Sequence, residues 1–559
     1  MKKLLTILIP TILFATGLTK SQTIVNTVHN MSVSGPGTVR ASSESEICVF
    51  CHTPHNSRPD APLWNRNDPG STYILYNSST TQAAPGQPDG SSILCLSCHD
   101  GTIALGDVIS RTTPIGFAGG ITTMPPGTSN LSPDLSNDHP VSFVYNAALA
   151  AADGELYDPA VLTGPVKLEN SKLQCTSCHD PHKNTYTDFL VATNQSSTLC
   201  NYCHNQNYWA NASHKNSNAT WNGTSPDPWP HTSYTTVSQN ACENCHSPHT
   251  AGGSLRLVNF LPEENNCLDC HNGNVANKNI QAQFAKTYRH NVYGYTGTHD
   301  PMENILVNVK HDECVDCHNP HAANSTTATA PNVKGFNIGV PGINQSGNPV
   351  NPIQYQYELC YRCHTATPGM PGPPTSRQIV QNNVRLEFST ANPSHHAVVG
   401  PGANPNVPSL ISPWTTSSVL YCTDCHSSDG TGAPKGPHGS TFNHILKLQN
   451  LTANNTPESA AAYALCYSCH SRSSIGGDMS FPRHHLHIYD ERTPCNACHD
   501  PHGISSTQGN STNNSNLINF DVSFISPSSS GILRFDDQGL YHGRCYLTCH
   551  GENHNPYTY

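Results

Sequence analysis

The 24 cysteines of this chain stand in pairs, and a histidine follows the second member of every pair. Six CxxCH motifs fill the first half: Cys48–Cys51–His52, Cys95–Cys98–His99, Cys175–Cys178–His179, Cys200–Cys203–His204, Cys242–Cys245–His246 and Cys267–Cys270–His271. Five more follow: Cys314–Cys317–His318, Cys360–Cys363–His364, Cys422–Cys425–His426, Cys466–Cys469–His470 and Cys495–Cys498–His499. The twelfth, Cys545–Cys549–His550, has one extra spacer residue. Two thiols so spaced can form thioethers to one haem edge while the adjoining imidazole reaches the iron. With 33 histidines in 559 residues, so regular a placement is not chance. No cysteine is left over, and the expectation is twelve covalently attached haem c groups.

Two other uses of paired cysteines fit less well. A disulfide framework is common in secreted proteins but gives no reason for a histidine after every second cysteine. Zinc knuckles would use the CxxC pairs and leave those histidines unexplained.

Each haem iron has a second axial position, and the remaining histidines supply candidates. The first, third, fifth, seventh and eleventh motifs continue as CHxPH, giving His55, His182, His249, His321 and His502. The ninth delays the same dipeptide to Pro437-His438. Three residues cannot carry a side chain around a porphyrin to its far face. These six are therefore expected to serve neighbouring haems, most simply the second haem of their own repeat; a propionate contact is the competing role. A second set lies upstream of each odd motif: His29, His139, His231, His290, His396 and His487. His311 competes with His290, His395 with His396, and His484 and His485 with His487. His214, His444, His542 and His554 are left as surface or propionate-contacting residues. Methionine is too scarce to serve generally: only Met31, Met124, Met302, Met370 and Met479 lie beyond the first residue.

The elements that position these groups must be small. On a helix, cysteines three apart share a face, as two bonds to one ring edge require. Thr456-Pro457-Glu458 offers an N-cap, a first-turn proline and an acid at the positive end of a helix expected over Ala460–His470. Pro262-Glu263-Glu264 precedes Cys267 in the same way. Asn519–Ile525 and Gly531–Phe535 read as a hairpin around Pro527–Ser530, and segments 325–355 and 365–377 read as loops. Hydrophobic residues make up 35% of the chain, little for a core of this length. The fold expected is mostly irregular and loop-rich, with short helices and few strands around a haem-centred core.

Motifs with and without Pro-His alternate, which divides the chain into six tandem two-haem units. These are residues 22–130, 131–215, 216–280, 281–385, 386–475 and 476–559. Residues 1–21 read as a secretory signal: Lys2 and Lys3, an apolar run from Leu4 to Leu18, then a polar segment. The run is shorter than the roughly 20 apolar residues a membrane span needs. Export to the periplasm, cell surface or extracellular space is expected. The formal net charge is −11, and loss of three signal lysines makes the mature chain more acidic still. That disfavours nucleic acid or anionic membrane surfaces, so no nucleic-acid partner is expected, and it favours cationic partners, mineral surfaces and metal ions.

The run Cys175-Thr-Ser-Cys-His-Asp-Pro-His182 resembles the doubled-CxxCH multihaem cytochromes of anaerobic and metal-reducing bacteria. So do Cys314-Val-Asp-Cys-His-Asn-Pro-His321, Glu491-Arg-Thr-Pro-Cys-Asn-Ala-Cys-His-Asp-Pro-His502 and Cys545-Tyr-Leu-Thr-Cys-His-Gly551. The resemblance implies bis-histidine, low-spin haems stacked closely enough to pass electrons in anaerobic respiration. It implies an electron carrier and not an enzyme. The partners implied are periplasmic or outer-membrane cytochromes, a porin–cytochrome complex, further copies in a filament, or a metal or mineral acceptor. The alternative is a multihaem oxidoreductase reducing a nitrogen or sulfur oxyanion at one open haem. Such enzymes often replace the proximal histidine by lysine, and no CxxCK occurs here. The insertion before His438 and the wide last motif depart from the pattern.

Overall fold

A computed structural model describes residues 23–59, 61–308, 310–365 and 374–559. The expected signal segment, Met370 and the middle of the 365–377 loop lie outside these residues. The chain is loop-rich, with short helices and small sheets, as its composition implies. Among the described residues the longest helix, Gly90–His99, has 10 residues and ends on the second haem motif. Other even motifs sit on the helices Asn265–His271, Gln356–Tyr361 and Ala464–Tyr467. Several odd motifs are themselves a single helical turn: Cys175–Cys178, Cys314–Cys317 and Cys495–Cys498. In the first two, and in the turn Cys422–Asp424, a polar side chain in the spacer caps the turn. The backbone N–H of Gln174 donates to Ser177 Oγ at 3.1 Å, that of Glu313 to Asp316 Oδ2 at 2.8 Å, and that of Tyr421 to Asp424 Oδ2 at 2.8 Å.

Two expectations change. The helix expected over Ala460–His470 is regular only at Ala464–Tyr467. Its intended capping groups bond elsewhere: Thr456 Oγ1 donates to the Ala453 carbonyl, and Glu458 accepts from Arg472 and the Tyr467 hydroxyl. The C-terminal sheet lies later than expected. It comprises Arg534–Asp537, Gly543–Cys549 and Glu552–Thr558, antiparallel with Gly543–Cys549 in the centre. Residues 519–525 form no strand. Phe520 and Ile525 instead pack as loop residues against Phe535 and Leu547, while Asn519 bonds Ile379 and Asp500.

Two-residue ladders do much of the positioning. Arg289 pairs with Gly439 and His395 with Gly503, and Thr23 forms a lone bridge with Lys183. Each fastens the stretch around an upstream histidine to the residue directly after a Pro-His of a later repeat.

The chain divides into two compact units. One comprises the chain to Tyr76, Gln82–Asn194 and Thr198–Cys203; the other comprises Asn77–Thr81, Gln195–Ser197 and His204–Tyr559. Neither holds one continuous core. Their largest apolar clusters contain six fully buried side chains each, such as Met31, Ala41, Val49, Phe50, Leu105 and Phe117 in the first unit. Cysteines of the haem motifs pack on the edges of most of these clusters, including Cys51, Cys98, Cys422 and Cys545. Among the described residues no helix is long and apolar enough to cross a membrane.

Candidate haem-binding sites

All 24 cysteines are free of disulfides. Within each unit their thiols follow one another through space in chain order. In the first unit Cys51 lies within electrostatic reach of Cys98, the Cys95 thiol reaches hydrogen-bonding distance of Cys175, and Cys178 neighbours Cys203. In the second unit the same alternation runs on. Cys245 neighbours Cys270, and Cys267 contacts Cys314. Cys317 neighbours Cys363, Cys360 contacts Cys422, and Cys425 neighbours Cys469. Cys466 contacts Cys495, and Cys498 neighbours Cys545. Burial pushes Cys51, Cys178, Cys245 and Cys425 up to about 12. Such thiols stay protonated at neutral pH, which disfavours a redox-active nucleophile and suits neutral thioethers.

The histidines meet in pairs at a nearly constant separation. His52 faces His182 at 5.9 Å between ring centres, and His99 faces His29 at 6.2 Å. In the second unit His246 faces His321 at 6.1 Å and His271 faces His214 at 6.2 Å. His318 faces His438 at 6.2 Å, and His364 faces His290 at 6.4 Å. His426 faces His502 at 6.1 Å, and His499 faces His484 at 6.3 Å. The interplanar angle meanwhile ranges from 16° to 81°. Rings held by stacking would couple distance to angle; these do not. A metal–imidazole bond of about 2 Å, plus the ~1.1 Å from ring nitrogen to ring centre, puts two trans imidazoles about 6.2 Å apart. The pairs therefore have the spacing of ligands on opposite faces of one iron.

Their tautomers agree with that role. A ring whose Nδ1–H donates to a carbonyl presents an unprotonated Nε2 to a metal. Nδ1 of His99 meets the Ser129 carbonyl at 2.7 Å, His179 that of Asp188 at 2.7 Å, and His246 that of Arg256 at 2.9 Å. His318 meets Phe336, His426 meets His444 and His499 meets Asn516, each at 2.8 Å. Burial, reinforced by neighbouring imidazoles, pulls His271, His364, His426 and His470 down to about 4. It pulls His321, His438 and His484 to about 3. These rings stay neutral at physiological pH, as a ligand must. The residues present fit bis-imidazole haem.

The pairing differs from the one expected along the chain. Four Pro-His histidines do not face the second haem motif of their own repeat: His182, His321, His438 and His502 face the odd motif of the preceding repeat, at His52, His246, His318 and His426. His29 and His290 face even motifs instead, at His99 and His364, and His396 acts electrostatically on a third, at His470. Their Nδ1 atoms bond the carbonyl of the proline in a following Pro-His: His29 to Pro181 at 3.2 Å, His290 to Pro437 at 2.9 Å, and His396 to Pro501. One dipeptide thus supplies a ring to one site and orients the ring of another. His214, expected at the surface, takes this place opposite His271, with Nδ1 on Pro320 at 3.0 Å. His231 is exposed beside the Glu243 backbone.

Other ambiguities separate by geometry. His395 bonds the Pro401 carbonyl through Nε2, whereas neighbouring His396 uses Nδ1 and acts electrostatically on His470. His290 faces His364, while His311 stacks on Tyr295 at 4.4 Å. His311 belongs to a buried group with His299, Glu303 and Asp316. Arg362 Nη2 bonds Glu303 and Asp316 at 2.7 Å each, so one guanidinium bridges both carboxylates and ties the seventh motif to the eighth. His485 bonds the Gly476 carbonyl and stacks on Tyr489. His139 Nδ1 meets the Pro140 carbonyl at 3.0 Å, and the His249 carbonyl accepts from Ser247 at 2.6 Å. His55 stands exposed.

The carbonyls that hold the proximal rings were not foreseen. Asp188, Arg256, His444 and Asn516 all have left-handed backbones in tight turns downstream of odd motifs. The signal was there: an apolar pair follows each, Phe189-Leu190, Leu257-Val258, Ile445-Leu446 and Leu517-Ile518.

The Doubled CXXCH motif family matches residues 167–207 and 417–474. Each match spans an odd motif and the even one after it, Cys175 to His204 and Cys422 to His470. No curated protein matches the chain. Together with the paired imidazoles, the matched motifs indicate a multihaem c-type cytochrome with covalently bound haem c.

Proposed function

We propose that this chain binds twelve haem c groups and carries electrons along them in anaerobic respiration outside the bacterial cytoplasm. The observation that carries this reading is the fixed 5.9–6.4 Å separation of the imidazole pairs, set on thiol pairs that succeed one another in chain order. Each haem, once bound, supplies a one-electron iron couple between two imidazoles. The chain's residues do the rest. The cysteines fix each ring edge, the histidine pairs fill both axial positions, and backbone carbonyls hold the tautomers. A filled axial shell leaves no place for substrate, which supports a carrier over an oxidoreductase. The acidic chain suits cationic faces of other redox proteins, periplasmic or outer-membrane cytochromes, and a metal or mineral acceptor. Secretion to the periplasm or cell surface, and assembly as a filament or beside a porin, belong to the same proposal.

Intact mass of the protein, made in a host with haem-attachment machinery, should show twelve haem increments. Ferric EPR should show only low-spin signals. A colourless product, or a high-spin signal with rapid cyanide binding, would overturn the reading.

A further inference from the structure

The twelfth motif breaks the pattern in sequence, and its surroundings explain why. Every other cysteine pair lies on a helical turn or a comparable bend, where residues three apart share a face. Cys545 and Cys549 lie on the central strand of the C-terminal sheet, Gly543–Cys549. On a strand, residues share a face only at even spacing. The extra spacer residue is what a strand requires to aim both thiols one way. Cys545, Leu547 and Cys549 indeed pack into one apolar cluster with Ala497, Cys498 and Phe535.

The same change of element misdirects the adjoining histidine. At positions 179, 318 and 499 the histidine closes a helical turn in extended conformation. His550 instead forms, with Gly551, the two-residue connection between Gly543–Cys549 and Glu552–Thr558. Both residues have positive φ, 52° and 84°, as a tight hairpin turn demands. The His550 ring lies with Nε2 against Asn454 Oδ1 at 2.7 Å and Nδ1 3.7 Å from Glu491. The nitrogen that the paired rings keep free is here already bonded.

Another imidazole stands where the ligand should be. His554 on the last strand is the cross-strand partner of Leu547, the residue midway between the cysteines. Partners across an antiparallel pair project from the same face. The His554 ring faces His487 at 6.5 Å and 33°, close to the separation of the other pairs. His487 Nδ1 meets the Arg483 carbonyl at 2.8 Å, which leaves its Nε2 free. Its neighbour on the same helical stretch, His484, faces His499, so the two histidines serve different sites.

We propose that the haem held by Cys545 and Cys549 is ligated by His554 and His487, with His550 bypassed. The motif reads as C-x3-C-x4-H on a hairpin, a strand-borne haem site in a chain of helical ones. The inference rests on the twelve-haem reading and is tested apart from it. His554 lies outside the CxxxCH run at which haem is attached, so the His554→Ala and His554→Met holoproteins should retain twelve haems by intact mass. In His554→Ala one ferric haem of the twelve should become high-spin by EPR, and added imidazole should return it to low spin. In His554→Met a methionine-to-iron charge-transfer band should appear. His550→Ala, where its mass shows haem attached, should remain wholly low-spin. Twelve haems with unchanged spectra in both His554 variants overturn the ligand assignment alone. An unmodified Cys545–Cys549 peptide in the parent protein overturns the assignment together with the twelve-haem count.

Discussion

His502 differs from the other paired imidazoles in what its Nδ1 faces: the Glu387 carboxylate at 2.9 Å, where most others meet a neutral carbonyl. Burial works against protonating His502, but Glu387 outweighs it and raises the ring's affinity for protons. A carboxylate on the outer nitrogen makes the inner one a stronger donor to a metal. The haem on Cys422 and Cys425, which His426 and His502 would clamp, should therefore be among the most reducing. Replacing Glu387 by Gln should raise the potential of one haem and leave its spin state low, read by spectroelectrochemical titration. His321→Ala addresses ligand identity. His321 faces His246, so one ferric haem should turn high-spin in EPR while intact mass stays unchanged apart from the substitution. In the CxxCH motifs the proximal histidines could be read directly from the sequence, because adjacency to a tethered cysteine on a helical turn fixes their place; at the strand-borne twelfth motif adjacency misleads. The partners of the proximal rings could not. The tether of His321 limits its reach but says nothing about which repeat lies within it, and His214 is fixed by a carbonyl 106 residues away.

The insertion that separates Cys425 from Pro437-His438 is an element of its own, with Asp429 as its anchor. Lys286 Nζ donates to Asp429 Oδ1 at 2.5 Å, and Thr441 donates to it through both backbone and hydroxyl. These bonds lie beside the Arg289–Gly439 ladder that sets His438 against His318. Burial would raise the Asp429 carboxyl, but Lys286 and Thr441 outweigh it and hold it at about 2, below its ordinary 3.8. A carboxyl depressed in the folded state stabilises above its unfolded value. The contribution should be complete above about pH 4 and lost as pH falls through 2. Asp429→Asn should cost about 1–2 kcal/mol at neutral pH, with the loss vanishing near pH 2 in acid-denaturation curves. Short helical turns at the cysteine pairs were legible from spacing. Two-residue ladders were not, since Tyr288–Arg289 and Gly439–Ser440 are too short to show a period. The last sheet was misplaced for a related reason: Phe520 and Ile525 look like strand residues but pack as loop.

Over the whole molecule, apolar burial is broken into clusters of a few residues with motif cysteines at their edges. Clusters of this size cannot offset the ordering of so many loop residues, at roughly 1–2 kcal/mol each. The chain produced without haem attachment should show no cooperative thermal transition and little near-UV circular dichroism. The poverty of the core was legible in composition; its division into small clusters around the paired imidazoles became visible only from where those rings face each other. The interlock between repeats also means that a break in the polypeptide is felt upstream. Severed between Cys363 and Cys422, the amino-terminal fragment loses the ring that covers His318 and the proline carbonyl that aims His290. On the proposed twelve-haem reading, proteolysis there would do more than shorten the series of sites: it would leave the upstream fragment with a five-coordinate iron open to oxygen and peroxide.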